Sequence, residues 1–447
     1  MIAQDKIICY VRPWNRDQFL ELAHGAWPDS ELVVISEHQS VDENDFAKQI
    51  YLEYRAQEEC AGSGILSDAE VDDIILRCRL LRVIDKDKAK RMVSTATQVV
   101  ERLFDQHSPK AVISITVDSY LLHIMALACA RRGVPFVGLI PSFVNGHFRI
   151  TALGERIVAR RVTDREVEEA LGAMLSSTYK PSFLVQSTKE MYKKAFTTWL
   201  RNLVKPLWFS LFRRLKGDSL NYHYYSSEVV AKQYRSIFPV RYKGVAFRSK
   251  SGPTLSSRCQ SLIYLPLQMS PEATIDYWCS DKSWIDYEKK ILDVVGNTKE
   301  DIVFLIKEHP NVLGNRTPNF YRKLSRMKNC ILIAPEVPSN LMLDICDAVL
   351  FGTGTVGFEA VLRGIPVYSD NVVFHTEAER VLPTESLKNG IQERKKLTKE
   401  EQSDIVRFAL EGLLPGCFVN NGTWLPEHND QSQIINSIRR FNMEGEI

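Results

Sequence analysis

The sequence has no CxxC pair, no large excess of either charge, no low-complexity stretch and no apolar run long enough to cross a bilayer. Each absence excludes something. A formal net charge of +2 over 447 residues lacks the basic excess of a nucleic-acid binder. Nine cysteines, an odd number at wide spacings and mostly inside apolar runs, read as free buried thiols in a reducing compartment. Asp5 and Lys6 stand beside a short IICYV run. No secretory h-region precedes them, so a cytoplasmic protein is expected. No fixed short period marks a solenoid.

What is present is an α/β rhythm. The length suits two domains rather than one core. Ile7–Val11 and Glu31–Ser36 read as strands around a helix at Asp17–His24, and residues 40–105 are mainly helical with a break at 61–64. Ala111–Thr116, the helix Ser119–Arg132 ending at Gly133, and Val134–Ile140 form the clearest early β-α-β unit. Thr163–Leu175 carries a capping-box start, and Ala195–Lys216 is a basic, aromatic helical stretch. The polar segment 250–260 marks a boundary. Beyond it, strands at Ser261–Leu267, Ile302–Lys307, Cys330–Ala334, Ala348–Phe351 and Ile365–Tyr368 alternate with helices, as in a doubly wound sheet. Thr398–Leu413 and Asp430–Phe441 read as helices. The expected division is 1–255, with a helical insertion around 160–250, then 256–415, then a tail at 416–447 packing back on the first domain.

Ligands of open parallel sheets bind beyond the C-terminal strand ends. Three segments of the second half fall there. After IVFLIK come Lys307, Glu308, His309, Pro310 and Asn311; an imidazole N–H and a lysine suit a phosphate. After AVLF come Gly352, Thr353, Gly354, Thr355 and, one turn into a helix, Glu359. The glycines permit close backbone approach, the threonines add hydroxyls, and Glu359 suits ribose hydroxyls. After SLIYLPL come Gln268 and Glu272, which in a two-domain enzyme face the reacting centre. Each has a plainer reading, respectively a surface turn, a capped helix start and a helix start. No Asp-x-Asp triplet falls in a strand-end loop, and no metal or cofactor is expected.

Together the motifs LPLQMSPEAT, IKEHPN, NFYRKL and DAVLFGTGTVGFEAVLRGIPV resemble the GT-B glycosyltransferases of the capsule and surface polysaccharide biosynthesis family, which includes transferases for 3-deoxy-sugar acids such as Kdo. In the N-terminal half, the resemblance rests on the β-α-β unit and on GHFRITALGE at 146–155. It implies two Rossmann-like parallel-sheet domains facing a cleft, with C-terminal helices. It implies that His309 contacts a donor phosphate, that Thr353 and Thr355 match a hydroxyl pair, and that Gln268 and Glu272 match a Gln-xxx-acid pattern near the donor sugar. Thr stands where Ser is common, which leaves donor base and sugar open. A CMP-linked Kdo-like sugar is the first expectation, with a glycan or lipid-linked acceptor. Asp118, past the AVISIT strand, faces the same cleft in such a layout. It is the candidate base, or else a helix cap. Residues 199–216 suit either an anionic inner-membrane surface at its cytoplasmic face or a helix pair packed between domains. The other functional readings are a CDP-glycerol-type polyol-phosphate transferase, a UDP-sugar epimerase-like enzyme, and a non-catalytic nucleotide-sugar-binding scaffold.

Overall fold

Residues 7–11 are apolar and buried on both faces, and they seed a parallel sheet. The computed structural model describes residues 4–56, 64–176, 179, 188–233, 261–299, 301–309, 316–419 and 431–444. The expected boundary at 250–260, the break at 61–63, and Pro310 and Asn311 lie outside the described residues. The first part runs β1 (Lys6–Tyr10), α1 (Arg16–Ala26), β2 (Glu31–Ile35), α2 (Phe46–Ala56), α3 (Asp68–Arg77), α4 (Lys86–His107), β3 (Ala111–Ile115), α5 (Tyr120–Arg132), β4 (Phe136–Pro141) and β5 (His147–Ile150). Next come α6 (Asp164–Met174), α7 (Thr188–Leu215) and α8 (Tyr222–Gln233). The Thr163–Glu166 capping box forms as expected, and Gly133 closes α5 in the left-handed region at φ 65°.

The second part runs β6 (Ser261–Pro266), α9 (Ala273–Asp276), α10 (Tyr287–Gly296), β7 (Ile302–Lys307), α11 (Pro318–Leu324), β8 (Cys330–Ile333), α12 (Ser339–Ile345), β9 (Ala348–Leu350), α13 (Val356–Leu362), β10 (Val367–Tyr368) and β11 (Val381–Leu382). The chain ends with α14 (Lys399–Glu411), β12 (Leu414–Pro415) and α15 (Gln431–Glu444). Two six-stranded sheets result, ordered β12-β5-β4-β3-β1-β2 and β11-β10-β9-β6-β7-β8. The expected α/β class with two Rossmann-like sheets is borne out. The second sheet is parallel throughout. Numbered by appearance its order is 3-2-1-4-5-6, so the topological switch falls between β6 and β9. The first sheet is parallel from β2 to β4 and switches between β1 and β3.

Three features depart from the sequence expectation. β5 and β12 add an antiparallel edge to the first sheet; at 4 and 2 residues they are too short to show a period. Helix α7 starts at Thr188, seven residues before the expected Ala195, and continues through Pro206. Between β6 and β7 the helical part beyond α9 is divided into a 3-10 turn, Lys282–Ile285, and α10. After β12 the chain packs α15 on α1. Among the described residues, no helix is long and apolar enough to cross a membrane.

Candidate active site

At the switch point of the second sheet, the ends of β6 and β9 interlock. Gln268 follows β6. Its backbone N–H donates to the Tyr287 hydroxyl at 2.7 Å, and its side-chain carbonyl accepts the Thr353 N–H at 3.1 Å. The loop glycines make room for that side chain. A Cβ on Gly352 would stand 2.3 Å from Gln268 Oε1, and one on Gly354 would stand 2.7 Å from Gln268 Nε2. The Thr353 hydroxyl donates to the Thr274 carbonyl at 3.0 Å, tying the loop to α9. Ser369 Oγ donates to the Gly352 carbonyl at 2.9 Å. Thr355 precedes α13 and makes no side-chain cap bond, so its hydroxyl is not used by the helix. The structure therefore brings Gln268, Gly352, Thr353, Gly354 and Thr355 together.

Lys307 and His309 sit at the neighbouring end of β7. Both are largely buried. Burial pulls the Lys307 ammonium down while Glu308, Glu359 and Glu336 pull it back up. Burial lowers the His309 imidazole to about 4, so it is a neutral donor at physiological pH. Glu308, between them, is fully buried and points the other way. It accepts from Arg316 Nε at 2.6 Å, from Arg316 Nη2 at 2.9 Å, from the backbone N–H of His309 at 2.7 Å and from the Tyr321 hydroxyl. Arg316 also donates to the backbone carbonyl of Gln268, so one guanidinium couples the ends of β6 and β7. Glu359 is raised by burial, against Arg363 and Lys307. That coupling places Lys307 and Glu359 in one electrostatic neighbourhood.

The first sheet presents its own switch point. Arg12, just past β1, donates Nη1 and Nη2 to the two Asp118 oxygens at 2.7 and 2.8 Å, and Nε to Glu37 at 2.7 Å. Tyr10 donates to the second Glu37 oxygen. Burial alone would raise Asp118. Arg12, with Arg79 and His223 nearby, outweighs it and holds the carboxyl below its ordinary value. A carboxylate committed at both oxygens to one guanidinium holds a proton weakly, which counts against Asp118 as the base.

Glu272 is the stronger candidate. Burial raises its carboxyl, the Thr274 hydroxyl and Arg79 lower it, and Asp276 raises it again; Thr274 Oγ1 donates to Oε2 at 3.0 Å. Arg79 thus feels Glu272 from the second sheet and Asp118 from the first. It pairs with the fully buried Asp276 at 3.4 Å, beside Arg82 at 2.6 Å. Its own Nε is buried with no hydrogen-bond partner among the described residues. Arg77 caps the carbonyls of Asp276, Tyr277 and Cys279 at 3.2, 3.1 and 3.2 Å. Helix α3 and its following turn are therefore sewn to α9. The GHFRITALGE segment serves the same junction. Arg149 stacks over Phe374 at 3.6 Å and Trp278 at 4.9 Å. Gly154, at φ 92°, leaves no room for a Cβ, which would lie 2.4 Å from Trp278.

Sequence reasoning gave no role of their own to Arg12, Glu308, Arg79, Arg316 and Asp276. The first two had a signal, a charged residue directly after a strand. The others meet their partners only through the tertiary fold. Among the described residues, no group of three or more His, Cys, Asp or Glu side chains could hold a metal ion. The described cysteines are free, five of the seven buried.

Residues 217–370 match the model of a family described as capsule polysaccharide biosynthesis protein. That span holds Gln268, Glu272, Lys307, His309 and the Gly352–Glu359 loop, so the resemblance read from those motifs is borne out. No curated protein matches the chain. Solved structures similar to it include the β-Kdo 2,7 transferase of Thermosulfurimonas dismutans KpsC, at 13% identity and TM-score 0.38, covering 98% of this chain and 99% of that one. The β-Kdo 2,4 transferase of the same KpsC gives 16% and 0.34, covering 74% and 87%. The UDP-GlcNAc 2-epimerase of Methanocaldococcus jannaschii gives 11% and 0.25, covering 98% and 99%. Likenesses this low say nothing about donor or acceptor.

Proposed function

We propose that the chain is a glycosyltransferase of capsule or surface polysaccharide synthesis, moving a sugar from a nucleotide donor to a glycan or lipid-linked acceptor. One observation carries the reading. Gln268 locks the Gly352–Thr355 loop at the β6/β9 switch point, where doubly wound sheets take nucleotides. The donor phosphate lies toward Lys307, His309 and the Thr355 hydroxyl, with the ribose toward Glu359. Gln268 and Thr353 hold the loop in place. As the sugar–phosphate C–O bond breaks, its electron pair leaves with the nucleotide phosphate, stabilised by those donors. The acceptor oxygen forms the new C–O bond and gives its proton to Glu272. The Lys307 ammonium and the neutral donors of His309 and Thr355 supply the charge stabilisation, with no metal assigned a part.

The donor is proposed to be a CMP-linked Kdo-like acid. Its carboxylate suits a junction where Arg79 keeps an unmatched buried Nε–H. The working place is the cytoplasmic face of the inner membrane, where lipid-linked acceptors are built. Thermal shift with CMP, UDP and CDP-glycerol tests the donor. Stabilisation by CMP is expected; stabilisation by UDP or CDP-glycerol alone would replace the donor with that of an epimerase-like or polyol-phosphate enzyme. Purified chain, CMP-sugar and lipid-linked acceptor should give product. Nucleotide binding without turnover would make the chain a scaffold.

A further inference from the structure

We infer that α7 is a docking surface for an anionic lipid bilayer. One side of the helix is held by the protein. Phe209 lies against His223 and Tyr224 with ring centroids 5.7 and 5.6 Å apart, and Arg213 pairs with Glu228 at 2.7 Å. Asn221, in the turn to α8, donates to the Glu37 carbonyl at 2.9 Å. The other side is uncovered. Leu203, Val204, Leu207, Trp208, Leu211 and Leu215 recur at helical spacing, with Leu207 78%, Leu215 75% and Trp208 54% exposed. Their steps of three and four residues place them on one face.

Charge decides what covers that face. Between residues 191 and 217 there are seven lysines and arginines and no aspartate or glutamate, in a chain whose net charge is only +2. Arg201 and Arg214 stand at exposed positions on this helix. A second copy of the same face would set cations against cations, with no acid between residues 191 and 217 of either copy to answer them. An anionic bilayer answers both features, taking the leucines and Trp208 into its interface and the cations onto its headgroups. The α7–α8 pair also reaches both halves of the site. Tyr192 donates to Glu336, and the charge of Lys194 is felt by His309. On the α8 side, Tyr222 donates to the Asp118 carbonyl at 3.1 Å. A bilayer on α7 therefore lies beside the proposed transfer site, where a lipid-linked acceptor would enter.

The inference deepens the membrane-face placement proposed above, and lipid binding is read separately from nucleotide binding. The full chain is sedimented with vesicles of phosphatidylcholine alone or mixed with phosphatidylglycerol. Binding should require phosphatidylglycerol and weaken with added salt. Leu207→Glu/Leu211→Glu and Arg201→Glu/Arg214→Glu should each weaken it by about tenfold or more. Both pairs are exposed, and an unchanged circular-dichroism melt and an unchanged thermal shift with nucleotide confirm intact fold and site. No binding to phosphatidylglycerol vesicles, or binding by both variants as tight as that of the wild type, overturns the inference. So does a wild-type dimer that Leu207→Glu/Leu211→Glu converts to monomer in light scattering, since a second copy would then cover the face.

Discussion

At the scale of single residues, the candidate site separates groups that hold from groups that react. Gln268 holds: its amide fills the space that Gly352 and Gly354 leave open. Gly352→Ala would push a methyl to 2.3 Å from Gln268 Oε1 and 3.2 Å from Trp284, which is itself buried. We expect the nucleotide thermal shift to vanish in this variant while the apo melting temperature falls far less; an unchanged nucleotide shift would show that the loop does not shape the donor site. Glu272 is the group proposed to react. Its carboxyl lies above the ordinary 4.5, raised first by burial. A raised value means that the proton is held to higher pH, so turnover should climb as pH rises through that value. Glu272→Gln should lower kcat by about 10²–10⁴-fold with KM little changed and remove that acid limb. Full activity in Glu272→Gln would strike the residue from the mechanism. Lys307, His309, Thr353, Thr355 and Glu359 were legible because strand ends and glycine loops are visible in one dimension. Arg79 was not. Its significance lies in standing between carboxylates from two different sheets.

Among elements, long periodic ones were legible and short ones were not. IVFLIK is a strand at the residues that its pattern gives, Ile302–Lys307. β5 was seen only as part of a motif, because four residues with a buried arginine in the third place resemble neither strand nor core. Its purpose appears in the turn that follows. Thr151 Oγ1 accepts the Gly154 N–H at 2.9 Å, and Glu155 accepts the N–H groups of Ala152 and Leu153 at 2.8 and 2.6 Å. This closes a tight turn against Trp278. Gly154→Ala would place a methyl on the indole and force an alanine to φ 92°. The expected loss is about 1–3 kcal/mol, read as a lower urea midpoint at unchanged m-value. An unchanged midpoint would mean that the turn does not bear on Trp278.

For the whole molecule, the two sheets are joined by contacts that no local pattern announces. Arg82 and Asp276 are 194 positions apart, yet they meet at 2.6 Å with the carboxylate fully buried. Two buried histidines lie at the same seam. His123 of α5 faces the Tyr277 ring at 5.7 Å. His375 lies 5.4 Å from the Phe143 ring. Burial lowers His123 from 6.5 to about 4, although Asp73 pulls the other way. Burial and then Arg149 lower His375 to about 3. The sign follows from linkage: a depressed folded value gives stability that is fully present above 6.5 and is lost as pH falls through the folded value. Each such histidine steepens the loss by up to about 1.4 kcal/mol per pH unit. Asp42, raised by burial to about 6, changes stability in the opposite direction. The discriminating measurement is therefore a difference between variants. Melting temperature should fall more steeply from pH 6.5 to 4 in the wild type than in His123→Gln, whatever the variant's stability at neutral pH. Parallel curves would show that His123 takes up no proton on unfolding, and that the seam is not what acid opens first.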